Sequence, residues 1–279
     1  MQKKGIFIQA DKKQLLGAMV AKHALEIRGG ALAQGIPVTI MLVENYPIFT
    51  KYSGISYRRG SKIVEHDPED LQFFTLSRFM PPELMGFEGR ALVIDPDIFA
   101  LKDIASLFDL DMGGAAVAAC RKKDAWDSSV MLLECSKLRH WQIASLLEGL
   151  KNRTEDYNEW MWLKKEKVFP IDREWNSLDQ FSANTRLLHT TTRLTQPWKT
   201  GLPIDFVPGT VPKLFGMIPR FWVPQHTEYQ PHPDTRLEQL FFTLVKEALE
   251  ANAIDRGFIT EQIALGNIRQ DFLEKVTLA

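Results

Sequence analysis

Cysteine is nearly absent from this chain, with two in 279 residues. Cys120 and Cys135 sit at the ends of apolar stretches without metal-ligand spacing, so a disulfide scaffold is excluded and both read as small core residues. An excess of one charge is lacking too. Lysine and arginine number 34 against 35 acidic residues, a formal net charge of −1, which gives no phosphate-neutralising surface for nucleic acid. Arg58-Arg59 and Arg121-Lys122-Lys123 read as solvated clusters. No run approaches the ~20 apolar residues needed to span a bilayer. Met1-Gln2-Lys3-Lys4 leads into a strand without a secretory signal, so the expected location is cytoplasmic, with peripheral contact at the inner membrane face as the other place. The first strand–helix turn has no G-x-G-x-x-G, so the dinucleotide fingerprint is missing, and there is no internal repeat. What remains, 45% apolar and 25% charged, is ordinary globular composition.

Patterning supplies the elements. Gly5–Gln9 reads as a strand, and Leu15, Leu16, Met19, Val20 and His23 recur at helical spacing. Gly29-Gly30 stops that helix, and Val38–Val43 reads as a second buried strand. This β-α-β opening implies parallel pairing. Residues 46–64 have no clear periodicity and read as a mobile loop, a lid or acceptor-facing segment. Asp67-Pro68-Glu69-Asp70 looks like a helix start; the helix carries Leu71 and Phe74 on its packing side, brings Arg78 near its end and closes at Met80-Pro81-Pro82. Further on come a short helix over Ile104–Phe108, strands over Ala115–Ala119 and Val130–Leu133, the latter preceded by Asp127-Ser128-Ser129, and a helix over Leu138–Leu150. Asp156 reads as the cap of a helix rich in Trp and Met, Pro170-Ile171-Asp172 as a strand, and Arg186–His189 as a short strand delivering a histidine. From Pro203 to Pro233 the chain is proline-punctuated, an irregular arm containing the aromatic stretch Phe215 to Trp222. Asp234–Asn252 is an amphipathic helix, and a helical stretch interrupted near Gly266 ends the sequence.

The stretch that organises the rest is Gly89–Phe99. Ala91–Ile94 is an apolar run without alternation, which suits a strand buried on both faces. Pro96 cannot donate to a ladder, so the strand ends there. Asp95 and Asp97 then project from the carboxyl end of a central strand, where open α/β sheets bind ligands. Two carboxylates so placed repel unless a cation or proton sits between them. The plainer reading of the same residues is a turn with Asp97 capping Ile98–Leu101, and both readings stay open on pattern alone. Asp11, at the tip of the first strand, reads as a helix cap in preference to a base or ribose contact. His189 is either a structural histidine or a ligand.

In order along the first 200 or so residues, these stations resemble the retaining GT-A glycosyltransferases of family 8, the group containing glycogenin and bacterial lipooligosaccharide galactosyltransferases. Gly-Arg-Ala-Leu-Val-Ile-Asp-Pro-Asp is similar to the family's Y-L-D-x-D strand, and Trp126-Asp127-Ser128-Ser129-Val130-Met131 to its F-N-[AS]-G-V-[ML]. Glu155-Asp156-Tyr157-Asn158 falls where the family has D-Q-D. Trp175-Asn176 matches its W-N, and His189 through Trp198 resembles its H-[FY]-x-G-x-x-K-P-W. The chain departs from the family at Asp127 for asparagine, Ser129 for glycine, Tyr157-Asn158 for the amide and second acid, Thr192 for glycine and Gln196 for lysine. Lys199 follows the tryptophan instead of preceding the proline.

The resemblance implies a Rossmann-like mixed α/β sheet flanked by helices, with a catalytic nucleotide-sugar-binding domain over residues 1–205 and a proline-rich arm with C-terminal helices over 206–279. It implies that Asp95, Asp97 and His189 hold a divalent cation, manganese or magnesium, on a UDP-sugar. Ala10 and Asp11 would meet the uracil and ribose, Arg78, Ser129 and Asp156 would surround the donor sugar, and Lys199 or Arg78 would add positive charge. Asp156 is then the carboxylate facing an oxocarbenium-like transition state. The expected activity is hexosyl transfer to a saccharide, lipid-linked or protein acceptor. A nucleotide-sugar binder without turnover and, further off, a D-x-D phosphohydrolase are the competing classes. The C-terminal helices are expected to pack on the core, with dimerisation or a membrane surface as the other uses.

Overall fold

The computed structural model describes residues 2–67, 73–206, 213–214, 218–219 and 226–279. Strand β1 (Lys4–Ala10) is followed by a short 3-10 turn and helix α1 (Leu15–Ile27), then β2 (Val38–Leu42). Helix α2 (Pro47–Lys51) and a hairpin of β3 (Ser56–Arg59) and β4 (Lys62–Glu65) follow. After a 3-10 helix over Phe73–Phe79 come α3 (Pro81–Leu84), β5 (Arg90–Ile94), β6 (Ile98–Ala100), β7 (Val117–Lys122) and β8 (Ala125–Glu134). Helices α4 (Ile143–Lys151) and α5 (Tyr157–Met161), strands β9 (Val168–Ile171), β10 (Ser177–Leu178) and β11 (Leu187–His189), the short antiparallel pair β12 (Lys213–Leu214) and β13 (Ile218–Pro219), and helices α6 (Thr235–Glu250), α7 (Arg256–Ala264) and α8 (Phe272–Leu278) follow.

A six-stranded sheet runs β2-β1-β5-β8-β7-β9, and a smaller sheet runs β10-β11-β6 beside it. β1 pairs parallel with β2 and β5, whereas β8 is antiparallel to both β5 and β7. The expected mixed α/β sheet flanked by helices is therefore the one observed. Alternation along the strands divides the core. Ile6, Ile8, Leu92, Ile94 and Leu132 face one cluster with α1 and α6, while Phe7, Ala91, Val93, Met131 and Leu133 face another with α4. With both faces covered, strand runs lose polar alternation, which is why they were legible as apolar blocks.

Several expectations change. Residues 46–64 form α2 and the β3–β4 hairpin, not an irregular loop. Gly60, at φ +63°, opens the two-residue turn between Arg59 and Lys62, and Tyr57 packs on Tyr157 with ring centroids 5.5 Å apart. Ile98–Ala100 is a strand, so Asp97 caps no helix there. Asp127-Ser128-Ser129 lies inside β8 instead of before it, and the ladder with β7 shifts register between Ala119 and Cys120. The α4 helix begins at Ile143; Leu138 and Trp141 precede it as buried turn residues. Met80-Pro81-Pro82 opens α3 as well as closing the preceding turn, because proline suits a first helical turn. The expected helix start at Pro68-Glu69-Asp70 with Leu71, most of the Phe215 to Trp222 stretch, and Pro208, Pro212 and Pro224 lie outside the described residues.

Helix α6 starts on Asp234, whose carboxylate accepts from the Arg236 amide at 3.0 Å, and buries Leu237, Phe241, Leu244, Val245 and Ala248. Phe241 stacks on Trp198 with centroids 5.0 Å apart, so this helix closes the core beneath α1. No helix among the described residues is long and apolar enough to cross a membrane.

Candidate active site

The buried run of β5 ends at Ile94, and Asp95 and Asp97 follow on either side of Pro96. Asp97 leads into β6, which pairs antiparallel with β11 so that Ile98 stands opposite His189. The Thr190 amide donates to the Asp97 carbonyl at 3.0 Å and fixes this junction. Two strands far apart in sequence thus deliver two carboxylates and an imidazole to one point. One ligand atom from each of Asp95, Asp97 and His189 lies within 4.8 Å of the others, and His189 Nε2 is 3.4 Å from Asp97 Oδ1.

The electrostatics of that point are unusual. Burial pushes the Asp95 carboxyl above the ordinary range, although Arg78 and His189 oppose it. Burial disfavours charge on His189, but the Asp97 and Asp95 carboxylates outweigh it and raise the imidazole. Arg78 is buried with them: Nη2 donates to Asp95 Oδ1 at 3.0 Å, Nη1 to Ser128 Oγ at 2.6 Å and Nε to the Thr75 carbonyl at 3.0 Å. Gln9 Nε2 also donates to Asp95. Two carboxylate oxygens and one imidazole nitrogen form a mixed donor set able to hold a divalent cation.

The group forms part of a cleft of about 480 Å³, whose wall includes Gln14, Arg59, Trp126, Asp127, Trp162 and Gln196. Asp127 reaches it from within β8. Ser129 donates to its Oδ1 through the backbone amide at 3.2 Å and the hydroxyl at 2.6 Å. Burial opposes charge on Asp127, yet the Ser129 donors and the nearby His189 hold its carboxyl below the usual range.

The remaining expected residues occupy different places. Ser129 and Arg78 line the cleft beside Asp127. Ala10 is fully buried at the end of β1. Asp11 is nearly so and accepts from the Gln14 amide at 2.8 Å, the capping role favoured by its position; it is Gln14 that lines the cleft. The Asp156 carboxylate caps α5 through the Asn158 amide at 2.8 Å and accepts from the Gly60 amide at 2.9 Å, tying α5 to the hairpin turn. Tyr157 and Asn158 line the cleft, whereas Asp156 does not. Lys199 is 2% exposed and pairs with Asp205, which also accepts from the Tyr229 hydroxyl; burial lowers the Lys199 ammonium. The sequence left Gln14 unmarked, marked Gln196 only as a departure from the family's lysine, and left Asn176 as a motif match without a role. A polar residue beside an apolar tryptophan was the signal available for Asn176.

No family model matches the chain. Protein CDI of Arabidopsis thaliana is 25% identical over 195 residues, covering 62% of this chain and 69% of that protein. Probable galacturonosyltransferase 13 of the same plant is 29% identical over 119 residues, 42% of this chain, which spans about a fifth (21%) of that relative. Among solved structures, the glycosyltransferase GlyE of Streptococcus pneumoniae TIGR4 aligns with a TM-score of 0.47 at 18% identity, over 71% of this chain and 57% of its own. The galactosyltransferase LgtC, solved with donor and acceptor sugar analogues, aligns with a TM-score of 0.43 at 14% identity, over 70% of this chain and 89% of its own. The galacturonosyltransferase relative and both solved proteins are described as enzymes that transfer sugars.

Proposed function

We propose that the chain is a divalent-metal-dependent glycosyltransferase that moves a hexose from a nucleoside-diphosphate sugar, a UDP-sugar in the first instance, to an acceptor. The observation that carries this reading is the convergence of Asp95, Asp97 and His189 on one point in a polar cleft. The order of its motifs supports retention of configuration and family 8, and the galacturonosyltransferase relative supports sugar transfer. The reading keeps the donor site within residues 1–205 and the protein in the cytoplasm.

A manganese or magnesium ion held by Asp95, Asp97 and His189 would supply Lewis-acid stabilisation of the leaving diphosphate. The chain's own residues do the rest. Arg78, fixed by Ser128 and Thr75, keeps a positive charge on Asp95 at the strand end. Asp127 is the carboxylate whose side of the cleft meets the sugar and stabilises positive charge developing there. Ser129 and Asn158 offer neutral hydrogen-bonding groups to the sugar hydroxyls. The commitment of Asp156 and Lys199 to internal partners favours a second reading, donor binding without turnover.

Release of nucleoside diphosphate from a panel of UDP- and GDP-sugars with manganese tests the proposal. Metal-dependent release from one donor, lowered more than roughly 100-fold in Asp97→Ala, is expected. Binding of a donor without release selects the second reading, and binding of none overturns both.

A further inference from the structure

A continuous file of buried hydrogen bonds leaves the candidate cation site on the side away from the cation. His189 Nδ1 is 2.9 Å from Asn176 Oδ1, Asn176 Nδ2 is 2.9 Å from Ser129 Oγ, and Ser129 Oγ is 2.6 Å from Asp127 Oδ1. Asn176 is fully buried, while Ser129 and His189 are 5% and 7% exposed. The direction of every bond in this file follows from its carboxylate end. Asp127 as a carboxylate only accepts, so the Ser129 hydroxyl donates to it. The Ser129 oxygen then accepts from the Asn176 amide group, which must present its NH₂ on that side. The Asn176 carbonyl is thereby turned to His189 and can only accept, so Nδ1 of the imidazole carries the hydrogen.

We infer that Asn176 is the positioning residue of the cation site: its carbonyl holds His189 in the Nδ1–H tautomer, which turns the Nε2 lone pair toward Asp95 and Asp97. Metal-ligating histidines commonly need such a partner on the second nitrogen, to fix the ring and raise its basicity. Here the partner is a neutral amide whose orientation is dictated from β8 by Asp127 through Ser129. Asn176 is neither one of the three grouped ligands nor a residue of the cleft wall, so it acts through its bonds to His189 and Ser129. The position of Asn176 explains the local chain: a 3-10 turn over Arg173–Trp175 bends the backbone so that the side chain at 176 points between β8 and β11.

The inference rests on the metal-dependent reading, and the test separates the two. Manganese alone is titrated into the whole chain and its spin-resonance signal followed, for the parent, Asn176→Ala and Asn176→Asp, with thermal unfolding of the metal-free proteins as the check on folding. The parent binds manganese. Asn176→Ala, folded but without an acceptor for Nδ1–H, is expected to bind roughly 10- to 100-fold more weakly. Asn176→Asp keeps an acceptor for Nδ1–H but replaces the amide that donates to Ser129 by a second carboxylate near Asp127, so it is expected to bind more weakly than the parent and more tightly than Asn176→Ala. A folded Asn176→Ala that binds like the parent overturns the inference, as does an Asn176→Asp that binds no better than Asn176→Ala. If Asn176→Ala does not fold, Asn176→Leu, close in volume and also without an acceptor, takes its place under the same criterion. Failure of the parent itself to bind manganese overturns the metal reading, and the inference falls with it.

Discussion

Asp11 shows how a residue's environment reverses its ordinary contribution. Burial raises its carboxyl from the ordinary 3.8 to about 6, against the lowering effect of the Gln14 amide and of Lys199. Between those two values the folded chain keeps a proton that the unfolded chain has already lost. The neutral form's advantage is therefore fully present below about pH 4 and disappears as pH rises through 6, a loss of about 3 kcal/mol. Asn at this position keeps an acceptor for the Gln14 amide and cannot ionise. Asp11→Asn should therefore flatten the fall in stability between pH 4 and pH 7, measured as urea unfolding free energies at several pH values. The same slope in both proteins would show that Asp11 is not its source. At this scale Asp95, Asp97 and His189 were legible because chemistry-bearing residues stood at the ends of apolar strands. Asn176 was not, because its meaning lies in partners 13 and 47 positions away along the chain, and a hydrogen-bond partner at that distance leaves no local pattern.

Among the elements, α1 carries a requirement that its periodicity hides. Gly17 lies in the helix, where alanine would ordinarily be better by about 1 kcal/mol. Here an added Cβ would stand 2.9 Å from the Pro96 carbonyl oxygen and 3.1 Å from the Trp198 ring, so the helix approaches the Asp95-Pro96-Asp97 turn as closely as a residue without a side chain allows. Gly17→Ala is expected to reverse the propensity argument, destabilising the protein by roughly 1–3 kcal/mol and weakening manganese binding as the turn is pushed away. A stabilised variant with the parent's metal affinity would contradict that close approach. The helix itself, like β1, β2, β5 and α6, could be read directly, since burial of one or both faces writes a period into the sequence. The β3–β4 hairpin could not: its strands are four residues each, and Arg58, Lys62 and Glu65 point to solvent, so too little apolar alternation remains to mark them. Asp127 misled for a related reason, since three polar residues inside β8 look like a strand's beginning until the cleft they line is seen.

On the scale of the whole molecule, the C-terminal helices bear on whether residues 1–205 stand alone. Burying Leu237, Phe241, Leu244 and Val245 is worth roughly 1.5–3 kcal/mol for each side chain. Ordering the helix consumes much of that, but its removal would also uncover Trp198 and Phe99, both packed on Phe241, together with the α1 face. Arg269 adds a polar lock, its backbone amide donating to the Trp198 carbonyl at 2.8 Å and its Nη1 to Glu238 at 2.9 Å. Since domains of this size are stable by only about 5–15 kcal/mol, the loss is comparable with the whole margin. A fragment ending at residue 205 should therefore lack a cooperative thermal transition, bind a hydrophobic dye and fail to take up manganese, because Trp198 packs over Gly17 and so behind the acidic turn. A fragment that melts cooperatively and retains manganese affinity would mean that α6–α8 only cover a core able to hold itself. The cation site would then depend on β5, β6 and β11 alone, and the C-terminal helices would be free to serve an acceptor or a second copy of the chain.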